Sequence, residues 1–387
     1  MGEDPGFGIR DSGFGTHHSR PRGAEALSVC PQGRQAKVTR GQTETPRTGA
    51  AAVASAALLT LALALVIATA PGIAAGGVPP AAPNRLVWPA PPAAARIRFI
   101  RTIDPAAVKG PPSLIKKFWR VLVGSSDDDH MNQPYGIAVG RDRKVYVADT
   151  FGGVIHAFDL AKSGYSAINV KGLSLVGIAA GAGRLFVTDS AAGSVMGLDL
   201  KGRTLWSIDR KFGLGRPTGI AWGGDRLYVV DTLHHNVFML SPAGAYLGAF
   251  GMQGNGPGQF NFPTNIARGA DGRLYVTDTL NFRVQVFDAE GEFIRSFGKL
   301  GDGAGDFDKP KGVALDSAGH IYVVEGMNDA VQIFDATGRL LLAFGESGAA
   351  EGQFWLPTGI TIVDDMIYVA DSANRRVQVF EYLKGGR

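Results

Sequence analysis

From residue 133 to the C-terminus, short apolar runs alternate with glycine, aspartate and asparagine, and the runs recur as one phrase. Six versions stand in order: QPYGIAVGRDRKVYVADT (133–150), LVGIAAGAGRLFVTDS (175–190), RPTGIAWGGDRLYVVDT (216–232), FPTNIARGADGRLYVTDT (262–279), KPKGVALDSAGHIYVVEG (309–326) and LPTGITIVDDMIYVADS (356–372). The acid that closes each phrase falls at Asp149, Asp189, Asp231, Asp278, Glu325 and Asp371, with spacings of 40, 42, 47, 47 and 46. A fixed period of this length marks stacked or radial repeats. Within residues 263–298, NIAR reads as strand a, LYVTD as strand b, RVQVFD as strand c and EFIRSFG as strand d. Tyr, Val, Ile and Phe fill the runs while Gly, Asp and Asn fill the breaks, the composition of short strands and tight turns. Both faces of these strands are largely apolar, as in a small sheet packed between two neighbours.

Radial repetition of four-stranded sheets around an axis is a β-propeller, and six units predict six blades. The sixth repeat ends after its strand c, at VQVFEY, so a fourth strand is missing there. RIRFIRTI (96–103) has the pattern of a strand d but precedes the first repeat. It is expected to complete blade six and to close the ring, leaving no open edge at that seam. The glycine-rich loops 251–263, 298–310 and 345–357 lack a following helix and a Lys-Ser/Thr pair, so they read as crossovers between blades and not as phosphate cradles.

The unit P-x-G-I-A-V…Y-V-A-D-S-x-N-x-R-V-Q-V-F-D…G-x-F-x-x-P resembles the NHL repeat, most strongly in YVTDTLNFRVQVFDAEGEFIRSFG and YVADSANRRVQVF. Repeats one and two lack the long glycine loop and the Asn-x-Arg. With VWPAPPAAARIRFIRTI ahead of the blades, the chain is similar to exported bacterial NHL proteins. That resemblance implies an all-β, six-bladed propeller over 96–387. It leaves several functions open: partner or ligand binding, receptor sensing, RNA binding, or metal-dependent lyase and lactonase-type hydrolase chemistry with polar residues around the channel.

Charge narrows the choice. Of 39 Lys/Arg and 35 Asp/Glu, seven and five fall in residues 1–84, leaving 32 against 30 for residues 85–387. A nearly neutral body argues against nucleic acid as partner. Cys30, the single cysteine, lies in the tail, so the repeats carry neither a disulfide framework nor a cysteine zinc site. Residues 1–49 read as a polar tail and 71–95 as a Pro/Ala-rich spacer. Between them, 50–70 is an uncharged apolar run of about 20 residues behind Arg34, Lys37, Arg40 and Arg47, read as either a signal peptide or a transmembrane anchor. Either predicts an exported, periplasmic or extracellular propeller. In the insert 104–132, Leu114, Ile115, Phe118, Trp119, Leu122 and Val123 predict an amphipathic helix over about 113–123.

Register also tests for catalytic chemistry. Tyr135, Leu175, Thr218, Thr264, Lys311 and Thr358 are expected to enter the channel at the start of strand a, and none is a carboxylate or histidine. A water-activating metal needs about three convergent His, Asp or Glu ligands. No two blades repeat a histidine, and His234 and His235 are the candidate metal ligands, for zinc or calcium under an enzyme reading. The favoured expectation is a non-catalytic binding or scaffold propeller of the cell envelope, without a cofactor, contacting a protein or small ligand through one loop face. Its expected contacts are Phe151, His234, His235, Phe262, Phe282, Arg283, Asn328, Trp355, Asn374 and Arg375, since aromatic and arginine side chains anchor interfaces. The blade acids are assigned a structural role, accepting hydrogen bonds from their own turns.

Overall fold

The computed structural model describes residues 86–109, 130–170, 172 and 174–384. The apolar segment 50–70, the tail before it and the expected helix 113–123 lie outside these residues. None of the described helices is long and apolar enough to cross a membrane.

Six four-stranded antiparallel sheets follow one another, each running a-b-c-d in hydrogen-bonding order. In blade four the strands are Pro263–Arg268, Leu274–Asp278, Arg283–Phe287 and Phe293–Phe297, matching the four runs read from the pattern. Each inner strand a packs against the inner strand of the next blade, and strand a of blade six (Pro357–Val363) meets that of blade one (Pro134–Val139), which closes the circle. Blades one and two form complete sheets despite their weaker repeat sequence.

The core lies between blades. Tyr228, Val230 and Val237 of blade three share one apolar cluster with Phe260, Ile266, Val276 and Phe287 of blade four. A strand buried on both faces needs apolar residues at consecutive positions, hence runs such as LYVV in place of strict alternation. The glycine loops end in an anchor: Phe260, Phe307 and Phe354 are fully buried and each sits within 6.5 Å of two further phenylalanine rings. At Gly251 the loop opens with φ 86°, and a Cβ there would meet the Phe260 ring at 2.4 Å, so only glycine fits.

Ring closure follows expectation. Ile97–Ile103 pairs antiparallel with Arg376–Tyr382, placing Phe99 opposite Phe380. An Arg98–Glu381 ion pair and the Leu383 N–H donating to the Arg96 carbonyl (2.8 Å) extend the seam. One segment departs from the spacer reading. Val87–Trp88 adds a fifth, outermost strand against Ile97 and Arg98, and Trp88 packs on Phe344 and Phe380 at 5.8 Å each. The Pro/Ala stretch is therefore pinned to blade six at its one bulky aromatic, because burying an indole outweighs the lack of regular pattern around it.

Candidate binding face

Each strand b ends in a fully or almost fully buried acid that holds the incoming loop. Asp149 accepts from the backbone N–H groups of Asn132, Gln133 and Phe151, and Asp231 from those of Gly215, Arg216 and Leu233. Glu325 accepts from Asp308 and Lys309. In blades four and six a side-chain network joins in. Arg283 Nε donates to Asp278 at 2.8 Å and Arg376 Nε to Asp371 at 2.7 Å, while Gln285 and Gln378 reach the same carboxylate oxygens. Blade one replaces the glutamine with His156, which lies 3.2 Å from Asp149 and 2.9 Å from the Tyr165 hydroxyl. The structural role expected for the acids is thus observed as hydrogen bonding in every one of these blades.

The same geometry distributes the predicted contact residues. The turns between strands b and c and the loops between blades share one face, as in Thr150 N–H donating to the Gln133 carbonyl. On that face Phe151, His234, Asn328, Trp355 and Arg375 are exposed. His235 is buried, at φ 56°, and accepts from the Phe262 N–H at 3.1 Å with the two rings edge to face. His234 Nδ1 sits 2.9 Å from Asp231. Arg283 is committed to Asp278 and to the carbonyls of Asn255, Gly256 and Gln259, and Asn374 to Asp371 and the Gly348 carbonyl. Phe282 is half-buried against the core between blades four and five. Of the second turn position sequence reasoning found only Phe151 (60% exposed) and missed Leu233, Leu280 and Met327, which are 48, 40 and 50% exposed. Its signal was available: four bulky apolar residues at one aligned turn position.

The axial mouth lies inside this ring of turns. One residue of the expected channel ring is corrected. Leu175 pairs with Asp189 as Pro134 pairs with Asp149 and Pro217 with Asp231, so Val176 takes the channel position in blade two. The chain's one repeat without the proline had shifted the alignment by a residue. Behind the ring stand Gly136, Gly177, Gly219, Gly312 and Gly359, where a Cβ would lie 2.0–2.6 Å from the next blade's backbone. Asn265 takes the sixth place and its Oδ1 accepts from the Ile266 N–H.

In three blades the ring threonine pairs with the first turn residue: Thr218 with Thr232 (2.8 Å), Thr264 with Thr279 (2.7 Å) and Thr358 with Ser372 (2.7 Å). The turn hydroxyl then donates to the next blade's proline carbonyl. Blade five breaks both halves of this pair, with Lys311 and Gly326, and the lysine stem lies across the glycine. A cavity of about 670 Å³ opens beside it over blades five, six and one, lined by Tyr135, Phe151, Lys309, Lys311, Leu356 and Arg375 among others. Burial, with the charges of Lys309 and Arg216, pushes the Lys311 ammonium below the ordinary lysine range, and Glu325 acts in the opposite sense. Burial pushes the Tyr135 phenol up, against the pull of Arg216. Deeper in, the channel encloses about 260 Å³ walled by Val139, Ala180, Trp222 and Leu315, with Arg268. Among the described residues no three His, Cys, Asp or Glu side chains are grouped to hold a metal.

Six four-stranded blades about a narrow channel, closed by an N-terminal strand, define a six-bladed β-propeller. The 6-bladed beta-propeller family matches residues 208–268 and 264–343, and the NHL repeat matches residues 354–380. The chain thus has the architecture of a six-bladed propeller and carries a match to the NHL repeat in its last blade. No curated protein matches it in sequence. Similar solved structures include a streptogramin B lyase (17% identity, TM-score 0.52, 66% of this chain and 95% of that one). Virginiamycin B lyase from Staphylococcus aureus is 15% identical, with TM-score 0.51 over 66% and 97% of the two chains. A gluconolactonase from Xanthomonas campestris is 17% identical, with TM-score 0.52 over 66% and 87%. At these identities the likeness is one of fold.

Proposed function

We propose that the chain is a non-catalytic binding propeller of the cell envelope that captures a ligand or partner through its loop face. The observation that carries this reading is the collar of exposed Phe151, Leu233, Leu280 and Met327 around the mouth, continued by Trp355 and Leu356, on a rigid disc. Apolar side chains gathered on one face, with Arg375 among them, are what interface anchors look like. The envelope address rests on the apolar run 50–70. Photo-crosslinking groups placed at Met327 and Trp355 are expected to form a discrete adduct in intact cells, while one at Asp271 on the opposite turn forms none. Equal labelling from both faces, or none from either, would sink the assignment.

A second reading, a metal-dependent lyase or lactonase-type hydrolase at the channel mouth, draws on the fold shared with two lyases and a gluconolactonase. It calls for convergent ligands that the described residues do not bring together. His234 and His235 point to different tasks, one bonded to Asp231 and one to Phe262. Tightly held zinc or calcium in the purified protein would establish it.

A further inference from the structure

We infer that the axial mouth over blades five, six and one is a binding site for an anionic head group carried on an apolar tail, with Lys311 as the residue that holds the anion. The inference rests on the loop-face reading and gives it a ligand class.

The repeat itself argues for it. Where the hydroxyl pair is intact, the seam between blades is sealed by a threonine, a serine or threonine, and a proline carbonyl. In blade five both partners change together. Gly326 removes the turn side chain, so that a Cβ there would stand 3.1 Å from Lys311 Cγ, and the space admits the lysine stem. A larger residue at 326 would push that stem out of its place. Two departures that fit each other in one blade are a built feature, not two separate losses.

Charge supplies the ligand sign. Among the described residues the Lys311 ammonium has no hydrogen-bond or ion-pair partner, its backbone carbonyl alone accepting from the Thr277 hydroxyl, and Lys309 and Arg375 line the same cavity. Arg216 is near enough for its charge to act on both Lys311 and Tyr135. Glu325, whose charge acts on Lys311, forms no ion pair with it and accepts the N–H groups of Asp308 and Lys309. A partly buried ammonium without a counter-ion is costly unless an anion completes it. The apolar part of the ligand follows from the rim, where Phe151, Met327 and Leu356 are 60, 50 and 48% exposed. The volume of about 670 Å³ is ample for a short aliphatic chain beside the head group.

Titration calorimetry of the full chain with octanoate, octyl phosphate, octanol and octylammonium tests this. One or both anions are expected to bind with one-to-one stoichiometry, and which of them binds tells carboxylate from phosphate. The neutral and cationic analogues are expected not to compete. Lys311→Thr with Gly326→Ser, which restores the repeat's hydroxyl pair, should keep the melting temperature and weaken anion binding by about tenfold or more. Lys311→Gln removes the charge alone and should do the same. Octanol binding as tightly as octanoate, anion affinity unchanged in both variants, or no binding of either anion would overturn the site. Anion binding without crosslinks from the turns would remove the partner-docking reading and leave the site. Crosslinks without anion binding would do the reverse.

Discussion

Blade four and blade one solve one problem with different side chains. Both must hold an incoming loop to the end of strand b, where a fully buried carboxylate accepts the loop's N–H groups. Blade four adds Arg283, Gln285 and Asn281 around Asp278, and the guanidinium also gathers three loop carbonyls. Blade one is entered from the insert 104–132 and not from a glycine loop, and His156 with Tyr165 takes the place of the glutamine. The strong repeat motif therefore belongs to the long glycine loop, while the buried acid belongs to the blade. A weak match to the repeat does not mean a weak blade.

The contrast can be broken at several strengths. Removing residues 86–103 strips blade six of its fourth and fifth strands and uncovers Phe380, Val377 and Val379. With Ile97, Phe99, Ile103 and Trp88 each worth about 1.5–3 kcal/mol of burial, most of a typical stability of about 5–15 kcal/mol is at stake. A melting temperature within a few degrees of the parent would refute closure by this strand.

Next comes the acid itself. Asp278→Ala strands the Arg283 guanidinium, whose side chain is 14% exposed, and should cost about 3–5 kcal/mol in denaturant unfolding. Asp149→Ala leaves backbone N–H groups and the His156 Nε2 unpaired and should cost about 1–3 kcal/mol. Equal losses would show that the arginine network adds nothing to blade four.

The smallest effect is in pH. Burial pushes the Asp149 carboxyl up, but the bonds from His156, Asn132, Gln133 and Phe151 outweigh it and hold the group below its ordinary range. Its stabilisation is thus present above about pH 4 and lost as pH falls through the lowered value. Glu325 is the opposite case, since burial outweighs its three backbone donors, Lys309, Asp308 and Met327, and raises it. Its contribution is present at low pH and fades as pH rises through that raised value. The cost of Asp149→Asn should therefore grow between pH 3 and 7, while that of Glu325→Gln shrinks. Parallel profiles would show that the two acids do not differ as their surroundings imply.

The order and number of blades, the strands of each and the closing strand at 97–103 were legible in the sequence. They follow from local rules: a short apolar run makes a strand, Asp-Gly makes a turn, and a ring one strand short must find it elsewhere. What the sequence left open depends on groups brought together across blades. Arg283 reads as a surface contact until its loop folds back on it, and Val87–Trp88 reads as spacer until Phe344 and Phe380 offer a surface. Lys311 and Gly326 are 15 positions apart, on strand a and on the turn after strand b of one blade, and share a cavity whose other wall comes from blades six and one. Pattern along the chain dictates strands because backbone pairing within a blade is local. The mouth is decided only when the ring closes, because its walls come from opposite ends of the chain.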